Sequence, residues 1–206
     1  MDFERLDELA RGLMLGRRSH NARETGHGYY HCNRVMRGVI ELRRAQTDDA
    51  SHDELLRAAA LLHDCGKAIE PHNVSGAALV GELLAGECAP DEIAEIRRLI
   101  YLHDLRGGQV DLWAALMQDA DLLDHYGCME IWRKFLYAGY HDRPPAESMD
   151  FALARYPAQV ESDRALLNLE VSRRVLDEKV RFTYEFMARM RVELTGGYVT
   201  GMPGQS

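Results

Sequence analysis

The stretch Ala60-Leu61-Leu62-His63-Asp64-Cys65-Gly66-Lys67 closes an apolar run with two adjacent metal-ligating side chains, and the chain reads as organised around it. Neighbouring residues on a regular helix point about 100° apart, so His63 and Asp64 can share one ion only where the helix ends or bends. Gly66 supplies that ending. An imidazole nitrogen beside a carboxylate oxygen suits a divalent transition metal (Mn, Fe, Ni, Co or Zn), with Mg also compatible. The pair leaves other coordination positions to be filled from elsewhere in the chain.

Upstream, Ser51 followed by Glu54 reads as a capping box opening the helix that ends at His63-Asp64. Before it, Cys32, Val35, Val39 and Leu42 share a face of a helix over His31 to Ala45, which puts His31 in that helix's first turn. Ser19 to Tyr30 reads as a loop, and Phe3 to Leu15 as a first helix closed by Gly16. Downstream, Ala77 to Leu84 is helical and stops near Gly86. Pro90 opens the next helix, which runs to Leu102-His103-Asp104 before Gly107-Gly108. A long helical pattern follows from about Asp111 to Tyr140, with a kink expected at Gly127. His141 to Pro157 is irregular, and a last helix spans Asp163 to Leu194. No segment alternates with period two. The expectation is an all-α, single-domain helical bundle over residues 1–206, with its core at about 20–140 and the last helix, about 163–194, packed on it.

With 206 residues, 46% of them hydrophobic and 28% charged, the composition is that of a soluble globular protein. The formal net charge of -8 argues against a nucleic-acid or anionic-membrane partner, which would require clustered Lys and Arg. Cys32, Cys65, Cys88 and Cys128 form no CxxC pair, which suits reduced thiols. No basic leader or bilayer-length apolar run is present, so a cytoplasmic location is expected.

The HD pair needs further ligands. His31 stands at a helix start, and Asp119-Ala120-Asp121 lies in a helix that is otherwise apolar on that side. Buried carboxylates are costly unless neutralised, so the acids between Met117 and Asp124 are expected to face a cation or an Arg.

The order His31, His63-Asp64, Asp121 resembles the H…HD…D signature of the HD-domain superfamily of metal-dependent phosphohydrolases. His31-Cys32-Asn33-Arg34-Val35 is similar to that family's HxxRV, and Leu62-His63-Asp64-Cys65-Gly66-Lys67 to its LHDxGK. Asp119-Ala120-Asp121-Leu122-Leu123-Asp124 is similar to the DADxLD of its small stand-alone members. The resemblance spans about residues 20 to 190. It implies a metal held by His31, His63, Asp64 and Asp121, with Asp119 competing for the last place, and a second metal or a phosphate at His72 and His103. Three departures are visible: Gly28 replaces an Asp common in the family, Lys67 replaces the Glu of the deoxynucleotidase branch, and no GYP segment follows His103.

On this resemblance the expected activity is cleavage of a phosphate ester or phosphoanhydride of a small metabolite, a nucleotide foremost, by metal-bound hydroxide with one or two ions. Lys67 and Arg34, about one turn from proposed ligands, are candidate phosphate contacts. Asp119, if not a ligand, is the candidate general base. Asp124 reads as a supporting acid, and His20, His52, His125 and His141 as structural side chains. A non-catalytic nucleotide-sensing HD module is the alternative class; a di-iron HD-type oxygenase is a third, kept open by His72 and His103. Apolar positions on the last helix allow a homodimer contact.

Overall fold

The computed structural model describes residues 1–18 and 27–198, except for the side chains of residues 27 and 151–153. Among the described residues the protein is all-α, with no strand. Its helices are α1 (Phe3–Met14), α2 (His27–Gln46), α3 (Asp53–Leu62), α4 (His72–Leu83), α5 (Pro90–Leu102), α6 (Leu112–Asp124), α7 (Cys128–Tyr140), α8 (Pro145–Leu166) and α9 (Glu170–Leu194). None of them is long and apolar enough to cross a membrane.

The centre is built by α2, α3 and α6, with α5 against α3, α4 paired to α5, and α9 lying on α2 and α6. Small side chains make this possible. Ala58, Ala59 and Ala60 bury one end of α3 and let its neighbours approach closely. α6 is buried without interruption from Ala114 to Leu123, so its two acids, Asp119 and Asp121, are carried into the interior. Val35, Val39, Leu56, Leu62, Ile100 and Leu116 belong to the same apolar core.

Several boundaries differ from the sequence expectation, each for a tertiary reason. α2 begins at His27, a turn before His31, because buried Tyr29 packs on α1 and donates its hydroxyl to Asp7 at 2.7 Å. The remainder of the expected loop, residues 19–26, lies outside the described residues, as does His20. The Ser51/Glu54 capping box does not form: His52 is the N-cap, without a side-chain cap bond, and Glu54 instead receives the amino terminus of Met1 at 2.9 Å.

The long helix expected from Asp111 to Tyr140 is two helices, separated at Gly127, whose φ of 78° is in the left-handed region open to glycine. The stretch expected to be irregular is largely helical: Pro145 occupies the first turn of α8, where its missing N–H is harmless, and Pro157 stands within that helix. The last helix starts at Glu170 rather than Asp163. Leu167 is extended and buried, and the N–H groups of Asn168 and Leu169 are drawn to Asp119 instead of to a helix ladder.

Candidate metal centre

α3 ends at Leu62, and the chain continues in tight turns in which the N–H groups of Cys65, Lys67 and Ile69 donate to the carbonyls of Leu62, Asp64 and Gly66. That tightening turns His63 and Asp64 toward one point. Gly66 has a second reason to be glycine besides ending the helix. A Cβ there would lie 2.3 Å from the backbone nitrogen of Gly76, so only a bare α-carbon lets α4 pack against the turn.

Four side chains from three segments converge on this point. His31 Nε2 lies 2.9 Å and His63 Nε2 3.5 Å from Asp121 Oδ1, and His63 Nε2 lies 3.8 Å from Asp64 Oδ1. Donors sharing one ion at about 2.0–2.2 Å sit about 3 to 3.6 Å from each other; ligand atoms of His31, His63 and Asp64 lie within 4.8 Å of one another, and Asp121 groups in the same way with His63 and His103 and with His31 and His125.

Each of the four has its outward side satisfied by the protein. His63 Nδ1 donates to the Ala60 carbonyl at 2.8 Å. His31 Nδ1 meets Asp124 at 2.7 Å, and Asp124 is gripped through both oxygens by Arg34, at 2.8 Å each. Lys67 donates to Asp64 Oδ2 at 2.8 Å, and Arg106 donates to Asp121 Oδ2. The inward sides are different. His63 Nε2 and Asp64 Oδ1 are fully buried and have no hydrogen-bond partner. A buried polar group left unmatched costs about 1–3 kcal/mol, more for a charge, and a cation bound between them removes that cost. The residues therefore fit a divalent ion: two imidazoles and two carboxylates, oriented from behind as metal ligands are.

The electrostatics of the metal-free protein follow from the same contacts. Burial opposes ionisation of Asp121, but its hydrogen bond with His31 and the nearby imidazole of His63 hold it well below the usual carboxylate range. Asp64 is likewise held low, against burial, by His63 and Lys67. His31 is raised to about 9, burial working against its charge and the hydrogen bonds with Asp121 and Asp124 overcoming it. In the metal-free protein the imidazoles of both His31 and His63 thus favour their protonated forms.

Beside this point lies a second grouping. Ligand atoms of Asp64, His72 and His103 lie within 4.8 Å of one another, sharing Asp64 with the first. His103 places Nδ1 2.5 Å from the Ile100 carbonyl, and burial together with neighbouring His63 pushes its pKa down to about 4. It is therefore a neutral imidazole with Nε2 available.

The other sequence candidates are placed as follows. Lys67 is at the cluster, on Asp64, with its side chain 56% exposed. Arg34 is committed to Asp124 rather than facing the point of convergence. Asp119 accepts bonds from the Asn168 and Leu169 backbones and the Asn168 side chain at 2.9–3.0 Å, and it joins none of the groupings of ligand atoms. His52 stacks on Trp113 at 4.3 Å.

Two residues escaped the sequence reading. His125, expected to be structural, stacks on His31 at 5.2 Å and groups with His31 and Asp121; its place next to Asp124 was the only available signal. Arg106 directly precedes Gly107-Gly108 in the turn after α5, with no local pattern to mark it. The carboxylate that Gly28 cannot supply to His31 is supplied by Asp124 from α6.

Comparison with known proteins agrees with this geometry. Residues 28–126 match the model of the HD domain family. No curated protein sequence matches the chain. Among solved structures, an HD-superfamily hydrolase from Bacillus thuringiensis superposes with a TM-score of 0.68 at 21% identity, covering 93% of this chain and 96% of that one. Bacillus subtilis YpgQ in complex with ADP gives 0.65 at 16% identity, covering 94% and 98%. A predicted HD superfamily hydrolase from an uncultured Thermotogales bacterium gives 0.64 at 23% identity, covering 93% and 92%. Residues 28–126 carry an HD domain, and over the chain as a whole the likeness to these solved structures is one of fold.

Proposed function

We propose that the chain is a metal-dependent phosphohydrolase, acting on a phosphate ester or phosphoanhydride bond of a small metabolite, with a nucleotide as the favoured substrate. One observation carries the reading: His63 Nε2 and Asp64 Oδ1 are buried, unmatched and ringed by His31 and Asp121. These four residues would hold a divalent transition ion, which when bound supplies Lewis acidity, a water of lowered pKa and screening of phosphate charge.

The remaining work belongs to the chain. Lys67, anchored on Asp64 yet half-exposed, has an N–H to offer a phosphate oxygen at the rim. Neutral His103 is suited to accept a proton at Nε2, because Nδ1 is committed to a carbonyl. The grouping of Asp64, His72 and His103 supports a second ion or a phosphate there. Arg34 is read as the support of Asp124, and Asp119 as a structural acid rather than the base. The nucleotide preference draws on the fold shared with YpgQ, which has been seen with ADP.

Metal analysis of protein purified without added metal, paired with a phosphate-release screen over nucleotides and other phosphorylated metabolites, tests the proposal. Metal-dependent release supports it. A tightly held pair of irons without release points to the oxygenase class, and neither metal nor release points to a sensing module.

A further inference from the structure

Asp121 divides its two oxygens between different neighbours. Oδ1 faces His31 and His63, whereas Oδ2 receives the Arg106 guanidinium. Arg106 comes from the turn after α5, where Gly107 adopts a φ of 86° that favours glycine. That turn is pinned in place by Gln118, which is 1% exposed and donates to the carbonyls of Leu102 at 2.8 Å and Leu105 at 3.2 Å. The Gln118 oxygen accepts from Asn168 at 3.0 Å, so the amide is locked from both ends. Gln118 precedes Asp121 by three residues on α6. One helix face therefore carries both the ligand and the anchor of the ligand's partner.

A carboxylate can bind an ion through one oxygen or both, and a permanently charged guanidinium that donates to Oδ2 alone leaves Oδ1 as the oxygen free for an ion. We propose that Arg106, anchored by Gln118, is a positioning residue that restricts Asp121 to being a one-oxygen ligand of the metal. The inference rests on the metal-centre reading above. The same contact has a contrary interpretation, in which the guanidinium occupies the ion's place and competes with it. The two differ in sign. A positioning residue strengthens metal binding, and a competitor weakens it.

The test is calorimetric titration of Mn into metal-stripped wild type, Arg106→Ala, Arg106→Lys, Gln118→Ala and the Arg106→Ala/Gln118→Ala double variant, with circular dichroism confirming helical content. Affinity is expected to fall about 10- to 100-fold in Arg106→Ala, as it does when outer partners of ligands are removed. Arg106→Lys should recover part of the loss, keeping the charge but not the fork. Gln118→Ala should bind more weakly than wild type, and the double variant no more weakly than Arg106→Ala, since the two residues act in series. In Co-substituted protein, the visible absorption bands should change in Arg106→Ala.

Unchanged or tighter Mn binding in Arg106→Ala, or losses that simply add in the double variant, overturn the proposal while leaving the metal centre standing. Should Arg106→Ala fail to fold, unchanged affinity in both Arg106→Lys and Gln118→Ala overturns it equally. A wild type that takes up no ion removes the metal-centre reading and this inference with it. None of these readouts requires turnover, so an error about the reaction cannot masquerade as one about Arg106.

Discussion

His63 Nε2 and Asp64 Oδ1 face each other across 3.8 Å, both buried and neither hydrogen-bonded. Adjacent residues reach this arrangement because the helix before them tightens into successive turns at Leu62. His63→Ala and Asp64→Ala are therefore expected to abolish metal uptake and turnover while leaving circular dichroism close to wild type, since both residues lie in the turns after α3 and not within a helix. Full metal stoichiometry in Asp64→Ala would rule this centre out.

The Arg34–Asp124–His31 chain should act on the ion from a distance. Arg34→Ala frees Asp124 to move and so loosens His31. About 1.5–3 kcal/mol of stability should be lost with the two charge-assisted bonds, and metal affinity should fall about 10- to 100-fold. Denaturant melts and metal titrations measure the two effects. If Arg34 instead binds substrate, KM rises and metal affinity stays put.

Protonation of His31 predicts opposite pH trends for apo stability and metal uptake. Its pKa in the metal-free fold is raised to about 9 from the ordinary 6.5. The stability this contributes is complete below about 6.5 and fades as the pH rises through about 9. Binding an ion expels that proton, so metal affinity should climb over the same range. Chemical denaturation of chelator-treated protein and Mn titration at several pH values check both. A flat apo stability between pH 6 and 10 would contradict the proposed proton on His31.

Asp119 is predicted to matter for folding and not for the ion. Asp119→Ala strips the acceptor from the N–H groups of Asn168 and Leu169 ahead of α9. A loss of about 2 kcal/mol is expected, corresponding to about 4–8 °C in Tm for a chain of this size. Metal affinity should remain within about twofold of wild type if Asp119 lies outside the coordination sphere. Loss of metal binding with an unchanged Tm would return it to the list of ligands.

Gly66→Ala probes the turn itself. The new Cβ would meet the Gly76 nitrogen at 2.3 Å and the His72 carbonyl at 2.6 Å, both backbone atoms that cannot swing aside. A destabilisation of about 3 kcal/mol, at the upper end for overpacking, is expected, along with weakened metal binding. Thermal melts of the metal-free variant separate the steric cost from the lost ion.

The amino-acid order by itself determined that the chain is helical and that His31, His63, Asp64 and Asp121 are its unusual residues. Apolar spacing fixes helix faces locally, and an HD pair closing a buried run has few other uses. It also marked Gly127, because a left-handed residue must usually be glycine. Only the tertiary structure decided where α9 begins, since the break at residues 167–169 depends on Asp119 and Gln118, some fifty positions away. Tertiary packing likewise decided that Asp119 and Asp121, two residues apart on α6, serve different neighbours, and that Asp124, Arg106 and His125 stand against His31 and Asp121. Those assignments depend on which groups lie across the core from one another. Local sequence carries no record of distance through space, so no motif could have revealed Arg106 on Asp121.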